Sequence, residues 1–521
     1  MFPNLELLRP MPVSHIRHQA TGTGRVLALL LGILLILAPL LRGGTDPLAL
    51  MALELLALAL LVAALWRPRP GLVRAWEAVA LLALAAFPLL YLITLPADLL
   101  AWLPGREPYL DGLRLVGDGS LPATLTPSLV PFATEAALLT LLLPIAVFLA
   151  VRALPAERVL SLVTILLGMA ALQATLGLMQ FGGGRESGLY LGMTFTHFDS
   201  AVGTYTNRNH LAGLMEMVLP IALALLLYSV GRDAPEASAA GRRQRWRRRL
   251  SFVATLRGHA AFAYGALALL VLVGVIFSRS RAGISLSILG VLLAVGLFAR
   301  RVGGTNVYGP AGTLVVIAAG LGVAIGLVPV LDRFSVEGAL ADQRWTIFSA
   351  TLGGIGSFFP LGSGPGTFPD VFPAFQPVEL GRWFVNRAHN DYLEWLFEGG
   401  IGAALLILLL AGLYLFQWGR VWRTSAWSRF RFVQIGAGIG ILLLALHETV
   451  EYNLHTPANI VYFAFLAGIF FADAGGDEEG ERRKSPRRTP RMDHEGRVTP
   501  APGVVAPAAP PPDQIRNPFL D

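Results

Sequence analysis

The sequence predicts an all-α integral membrane protein with about twelve transmembrane helices. Three observations predict it. Hydrophobic residues make up 54% of the 521 and charged ones only 14%, more apolar sequence than a soluble core of this length needs. The apolar residues gather into runs that reach the roughly 17–25 residues a helix needs to cross a bilayer. Arginines fill alternate connections between those runs, as the positive-inside rule requires.

The first run, "VLALLLGILLILAPLL", follows Arg17 and Arg25 and lacks a small-residue cleavage site. It reads as an uncleaved first span, 25–41, rather than a signal peptide. Further spans are expected over 48–66, 75–95, 133–151, 158–180, 209–229, 258–278, 284–299, 311–329, 393–418, 432–446 and 459–472. A polytopic domain, 25–472, therefore sits between a short segment, 1–24, and a tail, 473–521. The tail is a charge run followed by "TPAPGVVAPAAPPPD", and its Pro and Ala bias marks disorder.

Orientation follows from "WRPRPGLVR" (66–74), "GRRQRWRRRL" (241–250), "ARR" (299–301) and "GRVWRTSAWSRFR" (419–431). All lie on one side, with both termini, and that side is cytoplasmic. Two long connections, about 96–132 and 330–392, then lie on the other face. The second, between spans 9 and 10, runs to about sixty residues, a length at which loops commonly carry function. Within it, "ADQRWTIFSATLGGIGSFF" has the periodicity of a helix on the membrane surface.

Several functions are excluded. Cysteine is absent, so there are no disulfides or thiolate metal sites. The net charge of +7 is accounted for by the cytoplasmic loops, and no nucleic-acid partner is implied. "GGGRESG" (182–188) and "GSGPG" (362–366) are followed by no Lys-Ser/Thr and are not P-loops. No Asp-x-Asp pair and no metal-ligand spacing of His, Asp and Glu stands out. That argues against a sugar transferase using a nucleotide donor and a divalent metal, and no cofactor is implied.

Four polar groups interrupt the apolar pattern. Arg279 and Arg281, in "FSRSRAGIS", lie where positive-inside statistics disfavour arginine. They either snorkel to headgroups or hold an anion. Arg344, in "DQRWTIF", is either a headgroup contact or part of a site. In "RAHNDYLEW", Arg387, His389 and Asn390 stand at the start of a span, where Asn390 or Asp391 would also serve as an N-cap. In "GTYTNRNHLAG", Asn207 and Asn209 either bind sugar hydroxyls or cap the sixth span. Glu54 and Glu216 fall inside spans. Arginine's planar fork suits phosphate oxygens, and histidine can take a proton from a hydroxyl near neutral pH. The combination suits a diphosphate-linked sugar meeting an acceptor hydroxyl.

Read together and in order, "GTYTNRNHLAG", "SRSRAGISLSILG", "RWTIFSATLGGI…PLGSGPGTF", "AHNDYLEWLFEGGIG" and "NLHTPAN" resemble the O-antigen ligase/O-antigen polymerase superfamily, which also holds pilin oligosaccharyltransferases. The signature region covers about 253–415. The resemblance implies a twelve-span, GT-C-like fold in the bacterial inner membrane. It implies a metal-independent glycosyltransferase that moves glycan from an undecaprenyl-diphosphate donor to an acceptor glycan or lipid A core at the periplasmic face. It also implies donor-diphosphate binding by Arg281 and Arg344 and an essential histidine at His389. Arg279, Arg387, Asn390, Asn207 and Asn209 are supporting candidates. The competing class is a transporter or flippase of lipid-linked glycan, for which Glu54 and Glu216 would be the residues to watch.

Overall fold

The computed structural model describes residues 13–66, 72–190, 200–231, 255–299, 343–423 and 427–473. The expected span 311–329, the basic stretch 241–250 and the tail from 474 onward lie outside the described residues. The helices, numbered over the described residues, begin with α1 (Val13–Leu40), α2 (Pro47–Leu65), α3 (Ala75–Leu90), α4 (Ala97–Leu100) and α5 (Glu107–Val116). There follow α6 (Pro131–Thr140), α7 (Leu142–Ala153), α8 (Ala156–Gly183), α9 (Arg208–Gly231), α10 (Leu256–Ser278) and α11 (Arg281–Ala299). The series ends with α12 (Arg344–Phe358), α13 (Phe368–Val371), α14 (Asp391–Arg423), α15 (Arg429–His447) and α16 (Pro457–Phe470). The strands described are a two-residue ribbon that pairs Leu95 with Leu125 and Pro96 with Thr124.

Eight of these helical segments are long and apolar enough to cross a membrane, and three shorter apolar helices stand at the first, third and last expected spans. The fourth expected span is divided into α6 and α7. Pro144 explains the division, because it has no N–H to return to the Thr140 carbonyl one turn back.

Two helices form the centre. Nearly every residue of α9 is buried, and so is most of α15. They pack on each other, with α10, α11, α8 and α16 around α9. Small residues allow the close approach. A methyl on Gly440 would lie 2.6 Å from the Met217 carbonyl, and one on Gly436 would lie 2.9 Å from that of Pro220. Such small-xxx-small spacing is what lets membrane helices pack backbone to backbone. A buried histidine–carboxylate contact crosses the same interface, with His447 Nδ1 2.9 Å from Glu216 Oε1.

One end of the bundle carries a second, smaller core. Ile347 and Phe358 of α12, Phe368 and Val371 of α13, Phe372 and Phe397 pack together with Leu380, Val385 and Ala388. The helix of the long connection is therefore docked on α14, its inner face filled by aromatic side chains. α14 itself is interrupted. Gly400 has φ 50° and ψ −131°, a conformation open only to glycine. There Ile401 N donates to Pro360 O at 2.9 Å, while Ser363 N and Gly364 N donate to the carbonyls of Phe397 and Glu398. A methyl on Gly400 would lie 2.0 Å from the Pro360 oxygen. Of the "GSGPG" glycines, Gly362 serves this backbone-to-backbone contact, a methyl there lying 2.3 Å from Glu398 O, while Gly364 and Gly366 pack on Ser128 and Ala133. Arg106 fastens the other long connection to it, donating to Pro127 O at 2.8 Å and Gly362 O at 2.9 Å.

Candidate functional site

The α14–α15–α16 corner places "HETVEYNLHTPAN" (447–459) against the start of α9 and the segment before α14. Its centre is Glu451, whose side chain is wholly buried. One of its oxygens, Oε1, faces His389 Nδ1 at 2.9 Å. The other, Oε2, accepts from Arg344 NH2 at 2.7 Å and from Asn209 Nδ2. Three segments far apart in sequence therefore meet on one carboxylate. Burial opposes ionisation of Glu451, but Arg344 and His389 outweigh it and hold its pKa well below the usual carboxylate range. It is an anion at neutral pH. Arg344 and His389 each stay about a quarter exposed, so both reach the surface while their partner does not.

Local geometry fixes His389 further. Its φ is +53°, a left-handed conformation that costs a residue with a Cβ about 1–2 kcal/mol. Its neighbours pin the chain there. Ala388 N donates to Glu394 Oε2 at 2.8 Å, and Asn390 Nδ2 donates to Thr449 O at 2.9 Å. Tyr452 stands edge-on to His389, with ring centroids 4.9 Å apart, and edge-on to His210 at 4.8 Å. Its side chain also hydrogen-bonds Asn207 and Asn386.

A second charged layer lies behind. Arg387 NH1 donates to Glu394 Oε1 at 2.7 Å. His455 faces Asp391 Oδ1 with Nδ1 at 3.0 Å and Glu394 Oε1 with Nε2 at 3.2 Å. Burial and Arg387 disfavour a charged His455 ring, yet the two carboxylates prevail and its pKa is raised. Burial and Asp391 push Glu448 well above the carboxylate range, with a hydrogen bond to Asp391 that needs a proton on one partner.

The sequence-predicted residues divide accordingly. His389, Arg344 and Asn209 are brought together on Glu451. Asn207 is a helix cap, its Oδ1 accepting from Asn209 N at 2.9 Å. Asn390 caps α14, its Oδ1 accepting from Leu393 N at 3.0 Å. Arg387 is committed to Glu394. Arg279 ends α10 in the left-handed conformation, its guanidinium 5.4 Å from the centroid of Phe181. Arg281 opens α11 at this same end of the bundle, two residues before Gly283, which packs on Ala212 of α9. Glu216 is paired with His447 and Glu54 accepts from Thr140 at 3.4 Å.

Glu451, Glu394, His455 and Glu448 were missed by sequence reasoning. The available signal was the density of titratable residues between the last two spans, where "HETVEYNLH" supplies four within nine positions (counting His and Glu).

These features define a multi-pass membrane protein with a polar, charge-paired site at one end of its bundle. Residues 266–408 match the family model described as O-Antigen ligase, which supports membership of the O-antigen ligase/polymerase superfamily. The matched segment includes Arg281, Arg344 and His389 but neither Asn209 nor Glu451. No curated protein matches the chain.

Proposed function

We propose that the protein transfers glycan from an undecaprenyl-diphosphate-linked donor to an acceptor hydroxyl at the periplasmic face of the inner membrane, without a metal. The observation that carries this reading is the convergence of His389, Arg344 and Asn209 on buried Glu451. The acceptor oxygen bonds to the anomeric carbon as the bond from that carbon to the diphosphate oxygen breaks. The bonding electrons leave with the diphosphate, and the hydroxyl proton passes to His389. The diphosphate is already a good leaving group, so the protein's main task is to neutralise the charge that gathers on it. Arg344, partly exposed beside His389, and Arg281, at the start of α11, are the groups for that task. The acceptor is another glycan or a lipid A core.

The transporter reading is less well supported, because Glu216 is committed to His447 inside the bundle rather than lining a path.

The test is single-turnover transfer from purified lipid diphosphate-linked glycan by detergent-solubilised protein. General-base catalysis contributes about 10²–10⁴-fold, so His389→Ala is expected to lose that much while still binding donor. Near-normal transfer by folded His389→Gln, which keeps a hydrogen bond but no base, overturns the reading.

A further inference from the structure

We propose that Glu451 is a positioning residue that holds His389 as its Nδ1–H tautomer, leaving Nε2 as the nitrogen that takes the acceptor's proton. The inference rests on the transfer reading above and adds a specific role for a residue outside the matched family segment.

The argument is a count of donors and acceptors. An ionised carboxylate only accepts hydrogen bonds. Arg344 NH2 and Asn209 Nδ2 both donate to Oε2. Across Oε1 stands His389 Nδ1 at 2.9 Å, and with no proton on Glu451 that nitrogen must supply one. In the neutral ring the other nitrogen then carries a lone pair. Arg344 makes the arrangement directional, since a guanidinium cannot accept and so keeps Glu451 charged from its far side. The left-handed backbone of His389 and the hydrogen bonds on either side of it restrict the ring to this partner.

Glutamine at 451 preserves the shape and breaks the logic. Its single oxygen must stay on the Arg344 side, because Arg344 cannot reverse its role. The amide NH2 then faces His389, and the ring can meet it only by moving its proton to Nε2. The base nitrogen is lost while every side chain stays in place. The corresponding exchange in a Ser-His-Asp triad costs about 10⁴ in kcat through the wrong tautomer.

The experiment compares parent, Glu451→Gln, Glu451→Asp, His389→Ala and the Gln/Ala double variant in single-turnover transfer with donor binding measured alongside. Glu451→Gln is expected to lose about 10³–10⁴-fold in transfer with a much smaller change in donor binding. Glu451→Asp, shorter but still an anionic acceptor, should retain more transfer than Gln. The double variant should be no worse than His389→Ala alone. A residue that merely fills space gives the opposite order, because Gln is the closer match in shape. Gln equal to or better than Asp, or within about threefold of the parent, overturns the proposal. If Gln fails to fold, ¹⁵N spectra of histidine-labelled parent, with His389→Gln to assign the signal, decide the matter. A neutral His389 ring protonated at Nε2 overturns it. Full transfer by His389→Ala would instead sink the transfer mechanism itself.

Discussion

His455 illustrates how far a single side chain can be specified by its neighbours. Both ring nitrogens face carboxylates, Asp391 at 3.0 Å and Glu394 at 3.2 Å, so the ring is best satisfied when it carries both protons. Its pKa is raised in the folded protein, which fixes the sign of its effect on stability. A raised folded-state value means stability that is fully present below the unfolded value of about 6.5 and lost as pH rises through the folded one. Thermal unfolding of the parent in detergent should therefore decline with rising pH above about 6.5, and His455→Gln should flatten that decline. Parallel curves for the two proteins would show that His455 carries no linked charge. The same residue explains what sequence reading can and cannot find. His389 and Arg344 stood out because each is a polar residue in a conspicuous place, a loop flanked by apolar runs. Glu451 and His455 are paired across 62 and 64 residues with His389 and Asp391, and a pairing at that distance leaves no local periodicity to read.

At the scale of elements, α9 and α15 are joined by close backbone packing and by a buried histidine–carboxylate contact. Glu216 and His447 are fully buried and 2.9 Å apart. Removing one partner of such a contact leaves the other's polar group buried and unsatisfied and typically costs about 1–3 kcal/mol. Glu216→Ala is expected to destabilise the solubilised protein by that order in denaturant unfolding, whereas a loss under about 1 kcal/mol would mean that water or another group replaces the carboxylate. Helix positions were legible because length and hydropathy are local properties. The α6–α7 division followed from Pro144, a visible breaker inside a span read as continuous. The interruption at Gly400 was harder to see, since "EGGIG" inside an apolar run is compatible with an unbroken helix. Only the Pro360 and Phe397 contacts show why glycine is needed there.

At the scale of the whole molecule, the chain has a chemically distinct face at each end. One end holds Glu451 and its partners. The other holds Arg74, which pairs with Glu77 and Asp473, and Arg152, 3.4 Å from Glu77. The transfer reading needs the first end in the periplasm. The absence of cysteine makes this measurable with Ser120→Cys and Arg423→Cys, both at exposed positions. A membrane-impermeant thiol reagent should label position 120 in intact cells and position 423 only after permeabilisation. The reverse pattern would put the site on the wrong side. The overall class was predictable because bilayer insertion imposes it on composition. The charge network was not, because it is assembled from four separate stretches of chain that only folding brings together.

The break at Gly400 divides α14 into two territories with different obligations. Upstream, Asp391, Glu394 and Glu398 are buried among partners, and the backbone is stitched to the 360–364 segment. Downstream, Leu405, Leu408, Leu415 and Phe416 are exposed on the bundle's outer surface, where one apolar side chain serves lipid as well as another. The short upper piece is held to particular atoms throughout, whereas the long lower piece meets the bundle on one face only, where Gln417 donates to Phe470 O and Tyr414 to Gly438 O. Apolar exchanges at these exposed positions below the break should therefore be tolerated far better than any side chain at Gly400, where a methyl would lie 2.0 Å from Pro360 O.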